Sequence, residues 1–316
     1  MTPRAELVAA ARDSITRGSK SFRAASRLFG RETRERAWLL YAWCRRCDDM
    51  ADGQDHGHGA QPVDDPMARL AAIRRMTEAA LAGQPTGDPA FDALGVVAAE
   101  CGIPPELPRD LVRGFALDAA GFTPRHADDL YRYCYHVAGV VGVMMAMVMG
   151  VPADDEDTLD RACDLGIAFQ LANIARDLNE DDAAGRCYLP DEWLVEVDVP
   201  PGETMRPPWR GRIAVLARRL ADRAAAHEAA ARGGVRGLGY RDAWAVLAAA
   251  RIYGGIAREV AARGERAWDH RVVIPRARKL GWMAMAAVEA AGRRRIRPAS
   301  RAGLWTRPRV AGGTTR

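Results

Sequence analysis

The stretch FQLANIARDLNEDDAAGRCYLP, residues 169–190, carries the pattern that decides the fold. Its Ala, Leu and Ile residues recur at helical spacing, which predicts a helix. Asn173, Asp177 and Asp181 follow at four-residue intervals and form a stripe of oxygen ligands on one helical face. Apolar residues flank this stripe, so we expect it to face a cavity rather than open water. Oxygen ligands without His or Cys favour Mg²⁺ or Mn²⁺.

A second acidic helix is predicted from LYAWCRRCDDMAD, residues 40–52. Asp48 and Asp52 are four residues apart, so their carboxylates share one face about 6 Å apart along the helix axis. Asp49 points elsewhere. Like charges at this spacing destabilise a helix modestly, which suits a bound cation, although surface helices also carry such pairs for solubility.

Basic and hydroxyl residues stand close in sequence to both acidic segments. Arg45 precedes Asp48 by three residues, Arg176 adjoins Asp177, and GSKSF occupies residues 18–22. Carboxylates hold metal ions, the metals bridge phosphate oxygens, and Arg, Lys and Ser donate to the remaining oxygens. The combination therefore predicts a diphosphate site.

The rest of the chain predicts an all-α protein. Its 316 residues are 48% hydrophobic and 28% charged, with a mean hydropathy of −0.23, which excludes bulk disorder and a multi-span membrane protein. Strand patterns are almost absent. We expect a single helical domain over residues 1–292. The predicted helices cover roughly residues 3–17, 31–51, 66–83, 88–101, 106–118, 126–150, 155–182, 208–231, 240–264 and 273–293.

The end of the chain is strongly basic. Eight arginines and no acidic residue follow Glu289, although the whole chain has a formal charge of only +5. Proline and glycine residues interrupt this segment, so residues 293–316 are predicted to form a flexible tail. Arginine together with Trp305 indicates association with a membrane surface, and the charge split does not indicate nucleic-acid binding.

Residues 133–153, YCYHVAGVVGVMMAMVMGVPA, contain no formally charged side chain and approach the length of a membrane span. Three glycines and a proline interrupt the stretch, and it stands alone in an otherwise amphipathic chain. We therefore expect a helix buried at the centre of a bundle. Its small residues predict either tight helix packing or one wall of an apolar ligand cavity.

Cysteine usage indicates a cytoplasmic, reduced protein. The six cysteines are scattered, and the first residues lack an apolar signal core. Cys44 and Cys47 have the spacing of a metal or redox pair, but no second pair follows, so we interpret them as packing residues. GGVRGLG at residues 233–239 is not a dinucleotide fingerprint, and no NAD(P)H is expected.

Several motifs in order resemble the squalene and phytoene synthase family, most closely its bacterial phytoene synthases, over roughly residues 15–285. The motifs include GSKSF at 18–22, LYAWCRRCDDMAD at 40–52, GFALDAAG at 114–121, RYCYHVAGVVGVMMA at 132–146, QLANIARDLNEDDAAGRCYLP at 170–190 and WAVLAAARIYGGI at 244–256.

The resemblance implies an isoprenoid-synthase helical bundle around a central apolar cavity. It also implies a prenyltransferase that uses Mg²⁺ or Mn²⁺ and joins two geranylgeranyl diphosphates head to head. The intermediate would be prephytoene diphosphate, a cyclopropylcarbinyl diphosphate, and the product would be phytoene, the first carotenoid precursor. Expected partners are the prenyl diphosphates, the inner face of a membrane for product release, and carotenoid-pathway enzymes.

The resemblance also assigns site residues. Metal contacts are implied for Asp48, Asp52, Asn173, Asp177 and Asp181. Contact with diphosphate, or closure over it, is implied for Ser19, Lys20, Ser21, Tyr41, Arg45, Arg176, Arg186 and Tyr188. Tyr253 and Arg271 are implied as further substrate-binding residues. The cavity for the isoprenoid chains would be lined by Phe22, Tyr133, Val137, Ala138, Gly142 and Gln170.

Three alternatives remain open at this stage. Squalene or dehydrosqualene synthases act on farnesyl diphosphate and carry the same two acidic motifs, and a small residue such as Gly142 does not decide between C15 and C20 substrates. A terpene cyclase has Ser or Thr and then Glu where this chain has Asp177 and Asp181. Non-catalytic assembly proteins of the family have eroded acidic motifs, whereas both are complete here.

Overall fold

The computed structural model describes residues 2–18, 25–53 and 65–309, and these ranges contain helices and no strand. The predicted all-α class is confirmed. The α-helices are α1 (Arg4–Gly18), α2 (Arg31–Asp52), α3 (Pro66–Leu81), α4 (Pro89–Cys101), α5 (Glu106–Ala119), α6 (Ala127–Cys134), α7 (Val140–Val148), α8 (Glu156–Ala183), α9 (Asp191–Glu196), α10 (Arg210–Ala231), α11 (Tyr240–Arg263) and α12 (Arg276–Ala291). Short 3₁₀ turns lie at Pro207–Trp209, Arg232–Gly237, Gly264–Trp268 and Arg293–Arg295.

Local signals set many of the helix boundaries. The carboxylates of Asp65, Asp88 and Asp155 accept hydrogen bonds from backbone N–H groups in the first turns of α3, α4 and α8. Gly53 and Gly102 end α2 and α4 in the left-handed region, with φ of 63° and 62°. Because caps and glycine stops are readable in the sequence, the predicted boundaries lie close to the observed ones.

Helix α8 forms the centre of the bundle and packs against α6, α7, α10 and α11. Two glycines allow α7 and α8 to cross closely. A Cβ atom at Gly142 would collide with the carbonyl of Ala162, and one at Gly166 would collide with the carbonyl of Ala138. The structure therefore places Gly142, predicted as a cavity residue, in a backbone-to-backbone helix contact.

A π-helical turn, Tyr135–Gly139, joins α6 and α7 where the sequence predicts one uninterrupted α-helix. Helix α5 holds this turn in place. The buried Tyr135 hydroxyl donates to Asp110 Oδ2 at 2.5 Å, and His136 Nδ1 lies 2.9 Å from the Asp110 carbonyl oxygen. Turns of this kind occur often at functional sites because the extra residue changes which side chains face a neighbour.

The charge-free stretch at 133–153 lies mostly inside the bundle, with Val140, Val143, Met144 and Met147 buried. None of the helices in the described ranges has both the length and the apolar character needed to cross a bilayer.

The described part of the basic tail, residues 293–309, packs against the helical body instead of forming the flexible segment expected from the sequence. Arg301 lies 2.7 Å from both Asp160 and Asp164, and Arg307 Nε lies 3.0 Å from Asp160. Both aspartates belong to the buried side of α8. These two aspartates are distant from the tail in sequence, and their ion pairs with Arg301 and Arg307 hold the tail against α8. We call residues 301–309 the C-terminal clasp.

Trp305 also belongs to the clasp. Its ring lies 5.6 Å from that of Tyr135 in the π-helical turn, and its Nε1 donates to Asp128 of α6 at 2.9 Å. Trp305, which was predicted to contact a membrane, therefore contacts other residues of the same protein.

We predict that Arg301→Ala destabilises the fold by about 3 kcal/mol, because removing one partner of a buried ion pair leaves the other charge unpaired. Among the residues that the structure describes, Asp164 would keep only its contact with His227, whose Nδ1 lies 2.9 Å away. The free energy of unfolding, measured by urea denaturation, tests this. Arg297→Ala is the control, since Arg297 is exposed and has no acidic partner within the described ranges. Equal stability of the two variants would contradict the role of the clasp.

Candidate functional site

Helix α2 presents a half-accessible stripe made of Tyr41, Arg45, Asp48 and Asp52, whereas its other side is buried. Arg45 connects the members of this stripe. Its Nη1 lies 3.6 Å from Asp48 Oδ2, and its Nε donates to the Tyr41 hydroxyl at 3.4 Å. Asp49 lies on the buried side, so it points away from the stripe as predicted.

Helix α8 presents the second acidic stripe, formed by Asn173, Asp177 and Asp181, all half-accessible. Two arginines clamp Asp177. Arg176 donates to its two oxygens at 2.6 and 2.5 Å, and Arg271 Nη2 lies 2.8 Å from Oδ1. The clamp places guanidinium groups beside the predicted metal ligands, where a diphosphate could exchange with the carboxylate as their partner.

Asp118 of α5, which was not among the residues predicted from the sequence, also lies at this site. Its Oδ1 accepts hydrogen bonds from the hydroxyls of Tyr133 and Tyr188, each at 3.0 Å. The two tyrosine rings stack with centroids 4.7 Å apart, and Phe122 stacks on Tyr133 at 5.6 Å. Asp118 is the only charged residue in the motif GFALDAAG, and this isolated charge in an apolar segment could have indicated a site residue.

Helices α2 and α5 are in contact, and the pKa of Asp48 depends on charged groups from both helices. Burial raises the pKa of Asp48 to about 7, the charge of Arg45 works against that shift, and Asp52 and Asp118 add to it. Burial also raises the pKa of Asp118, although the two tyrosine hydroxyls stabilise its charged form.

Electrostatic interactions also connect these acids with α8. Burial and the neighbouring Asp177 raise the pKa of Asp181 to about 6, against the charge of Arg186. Asp118 contributes to this shift as well. Arg186 itself lies 3.6 Å from Asp52 Oδ1, so it stands between the two acidic helices. We call the carboxylates that interact in this space the acidic centre: Asp48, Asp52, Asp118, Asp177 and Asp181.

Apolar side chains continue the α8 stripe away from the acidic centre. Leu165 and Phe169 are half-accessible, as is Gln170 beside them. The ring of Tyr253 from α11 stacks on Phe169 with centroids 4.1 Å apart. Helix α8 therefore carries an apolar and a polar section along one accessible side.

The π-helical turn and α7 present a similar apolar surface, because Val137, Ala138, Val141 and Met145 are half-accessible while their neighbours are buried. Val137 also lies close to α5, since a Cβ atom at Gly114 would sit 2.9 Å from Val137 Cγ1.

The predicted residues Ser19, Lys20, Ser21 and Phe22 lie outside the described residues. Helix α1 ends just before them at Gly18, where a Cβ atom would lie 2.7 Å from the Tyr41 hydroxyl and 3.6 Å from Arg45 Nε. The last described residue before this segment thus stands beside the α2 stripe.

The donor set contains carboxylate and amide oxygens. The Oδ1 atom of Asn173 is buried and has no hydrogen-bond partner among the described residues. No three carboxylate, imidazole or thiol groups in those ranges converge tightly enough to hold a metal ion by themselves. In proteins, Mg²⁺ typically takes one or two carboxylates and completes its coordination with water and phosphate oxygens.

Comparison with known sequences gives the family. A sequence profile described as Squalene/phytoene synthase matches residues 15–278. The chain is 45% identical over 303 residues to a phytoene synthase of Pseudescherichia vulneris, covering 94% of this chain and 97% of that protein. It is 43% identical over 308 residues to a 15-cis-phytoene synthase of Paracoccus sp., covering 97% and 99%. The resemblance inferred from the motifs is confirmed.

Solved structures agree on the fold. A dehydrosqualene synthase in complex with a ligand superposes with a TM-score of 0.79 at 26% identity, covering 92% of this chain and 98% of that one. Squalene synthase HpnC from Alicyclobacillus acidocaldarius gives a TM-score of 0.72 at 26% identity, covering 83% and 95%. Sequence profile, relatives and solved structures lead to one conclusion: the chain belongs to the squalene/phytoene synthase family.

Proposed function

We propose that the protein joins two molecules of geranylgeranyl diphosphate head to head, through prephytoene diphosphate, and releases phytoene. The observation that carries the proposal is the acidic centre, in which carboxylates from α2, α5 and α8 share one space with several arginines. The names of the relatives, at 43–45% identity over nearly the whole chain, support phytoene as the product.

We propose Asp48, Asp52, Asn173, Asp177 and Asp181 as ligands for Mg²⁺ or Mn²⁺. The unpartnered Asn173 oxygen and the unfavourable crowding of carboxylates both fit a divalent cation. When bound, such an ion neutralises diphosphate and makes it a better leaving group.

The chain's own cations would bind the diphosphate oxygens. Arg45, Arg176, Arg186 and Arg271 all stand beside acidic residues of the centre, at the distances given above. Arginine suits this role because its planar fork donates two parallel hydrogen bonds to phosphate. Ser19, Lys20, Ser21 and Tyr41 would add donors from the α1 side.

Asp118 would act as a positioning residue. Its hydrogen bonds fix the hydroxyls of Tyr133 and Tyr188, and burial next to Asp118 raises the pKa of Tyr133, which keeps that phenol protonated. Two neutral phenols held rigidly next to the acidic centre can orient a bound diphosphate without adding negative charge.

The hydrocarbon chains would lie along the apolar surfaces. Phe22, Tyr133, Val137, Ala138 and Gln170 are proposed as lining residues, with Gly142 setting the close crossing behind them. An apolar wall excludes water, which would otherwise capture the allylic cation and give an alcohol.

A hydrocarbon product dissolves in lipid rather than in water. We therefore propose that the protein works at the cytoplasmic face of a membrane and passes phytoene to later carotenoid-pathway enzymes.

The first prediction concerns the product. Purified protein incubated with Mg²⁺ and geranylgeranyl diphosphate should yield a C40 hydrocarbon by mass analysis, with no requirement for NADPH. Farnesyl diphosphate is the competing substrate. A C30 product in its place would assign the chain to squalene or dehydrosqualene synthesis, and no product from either substrate would favour a non-catalytic assembly protein.

The second prediction concerns Asp177. Its replacement in Asp177→Asn should lower the rate of hydrocarbon formation by about 100-fold or more, because metal-assisted charge stabilisation is worth several kcal/mol. Asp154→Asn is the matched control, since Asp154 is exposed just before the same helix. Equal rates for the two variants would refute a metal role for the α8 stripe.

The third prediction concerns stability and pH. Because the pKa of Asp48 lies near 7 in the folded protein and about 4 in an unfolded chain, ionisation of Asp48 costs stability as pH rises between these values. The Asp48 side chain is 41% exposed, so solvent screening reduces the effect. In metal-free buffer, Asp48→Asn should stabilise the fold by about 1 kcal/mol more at pH 8 than at pH 5.

Urea denaturation at both pH values measures this difference. Asp154→Asn should show the same change in stability at pH 5 and pH 8. A gain from Asp48→Asn that does not depend on pH would contradict the electrostatic crowding of the acidic centre.

A further inference from the structure

An apolar surface is exposed on α12. Leu280, Met285 and Val288 are 66%, 46% and 77% exposed, and Val273 just before the helix is 65% exposed. These four account for half of the exposed large hydrophobic side chains in the described ranges. The remaining residues of the surface are small: Ala277, Gly281, Ala284 and Ala291.

The surface forms one continuous helical face. At 100° per residue, the exposed members between residues 277 and 291 fall within an arc of about 140°. We call this arc the apolar face of α12. The opposite side of the helix contains the buried Ala286 and Ala290.

Helix α12 is firmly attached on that opposite side. It packs mainly on α11, where Trp282 fills the space above Gly255 and Trp244 Nε1 donates to the Met283 carbonyl at 2.8 Å. The apolar face is therefore a fixed part of the fold, and its exposure does not come from an unpacked helix.

Basic residues lie at both ends of the apolar face. Arg276 begins α12, Arg278 follows it and is paired with Glu259 at 3.1 Å, and Arg294, Arg295 and Arg297 follow the end of the helix. The only acidic residue of the helix is Glu289, which is turned inward and paired with two arginines, Arg251 at 2.7 Å and Arg232. An apolar centre with basic ends complements an anionic lipid surface.

A second copy of the chain fits this face less well. Two copies related by a twofold axis would pack their α12 helices antiparallel or parallel, and in either case a basic end of one helix meets a basic end of the other. Like charges would then meet at both ends of the contact, with no exposed acid on the face to offset them.

We propose that the apolar face of α12 is the surface through which the protein binds an anionic lipid bilayer. The helix would lie in the plane of the headgroups, with Leu280, Met285 and Val288 inserted and the terminal arginines on anionic headgroups. The clasp arginines are held by α8, so the membrane-binding element would be the apolar face of α12 with the arginines that directly follow it, and not the clasp. The proposal deepens the membrane association proposed above and gives the hydrocarbon product a route into lipid.

Vesicle flotation tests the proposal without substrate. The full chain should bind vesicles of phosphatidylcholine and phosphatidylglycerol, and bind them more weakly at high salt or when the vesicles are phosphatidylcholine alone. The double variant Leu280→Gln/Val288→Gln should bind at least about tenfold more weakly, because two inserted side chains are lost.

The control is Val195→Gln/Val215→Gln, which changes two equally exposed valines outside α12 and should bind as the unmodified chain does. A second variant, Arg294→Gln/Arg295→Gln, should weaken binding to anionic vesicles by about fivefold per residue while leaving binding to neutral vesicles unchanged. Arg294 and Arg295 are exposed, so we expect these substitutions to leave the fold intact.

Two outcomes would overturn the proposal. One is equal flotation of the α12 variant and the control. The other is a dimer in sedimentation that the α12 variant dissociates, which would assign the face to a second copy. Activity with geranylgeranyl diphosphate in detergent micelles is measured in parallel. Loss of flotation with full activity confirms the surface, whereas a protein that floats but makes no hydrocarbon refutes only the proposed reaction.

Discussion

Crowding of carboxylates in a half-buried space is the constraint on which the rest of the structure depends. Asp48, Asp118 and Asp181 each have a raised pKa, and each owes part of that shift to other acids of the acidic centre. Such an arrangement is unfavourable for an isolated fold, because burial and repulsion both oppose the charged forms. Under the proposed function it would become favourable when a divalent cation and a diphosphate bind together, since the cation would supply the missing positive charge.

Because the carboxylates of the acidic centre repel one another, the surrounding helices must be packed rigidly to keep them close together. The close α7–α8 crossing at Gly142 and Gly166 and the π-helical turn tied to Asp110 fix the apolar side of the bundle. The C-terminal clasp neutralises the buried acids at the start of α8 and presses Trp305 onto the π-helical turn. The ion pairs of the clasp thus lie at the start of α8, away from the acidic centre, where they stabilise the helix without using Asp177 or Asp181.

Periodic features of the fold were predictable from sequence, and single long-range contacts were not. Both acidic stripes follow from four-residue spacing, and the helix ends follow from caps and glycines. Asp118 was not predicted because a single acid in an apolar helix forms no periodic pattern. Its environment depends on Tyr133 and Tyr188, which lie 15 and 70 residues later in the chain. The clasp was expected to be flexible because the acid that pairs with Arg301 lies 137 residues earlier.

The fold by itself leaves the length of the hydrocarbon product open, since a dehydrosqualene synthase and a squalene synthase share it. The structure limits which residues can determine the length of the product. Gly142 and Gly166 are held by backbone contacts, so enlarging either would separate α7 from α8 before it altered a pocket. We infer that chain length depends on half-accessible side chains that can change size without moving a helix, namely Met145 on α7 and Leu165 and Phe169 on α8.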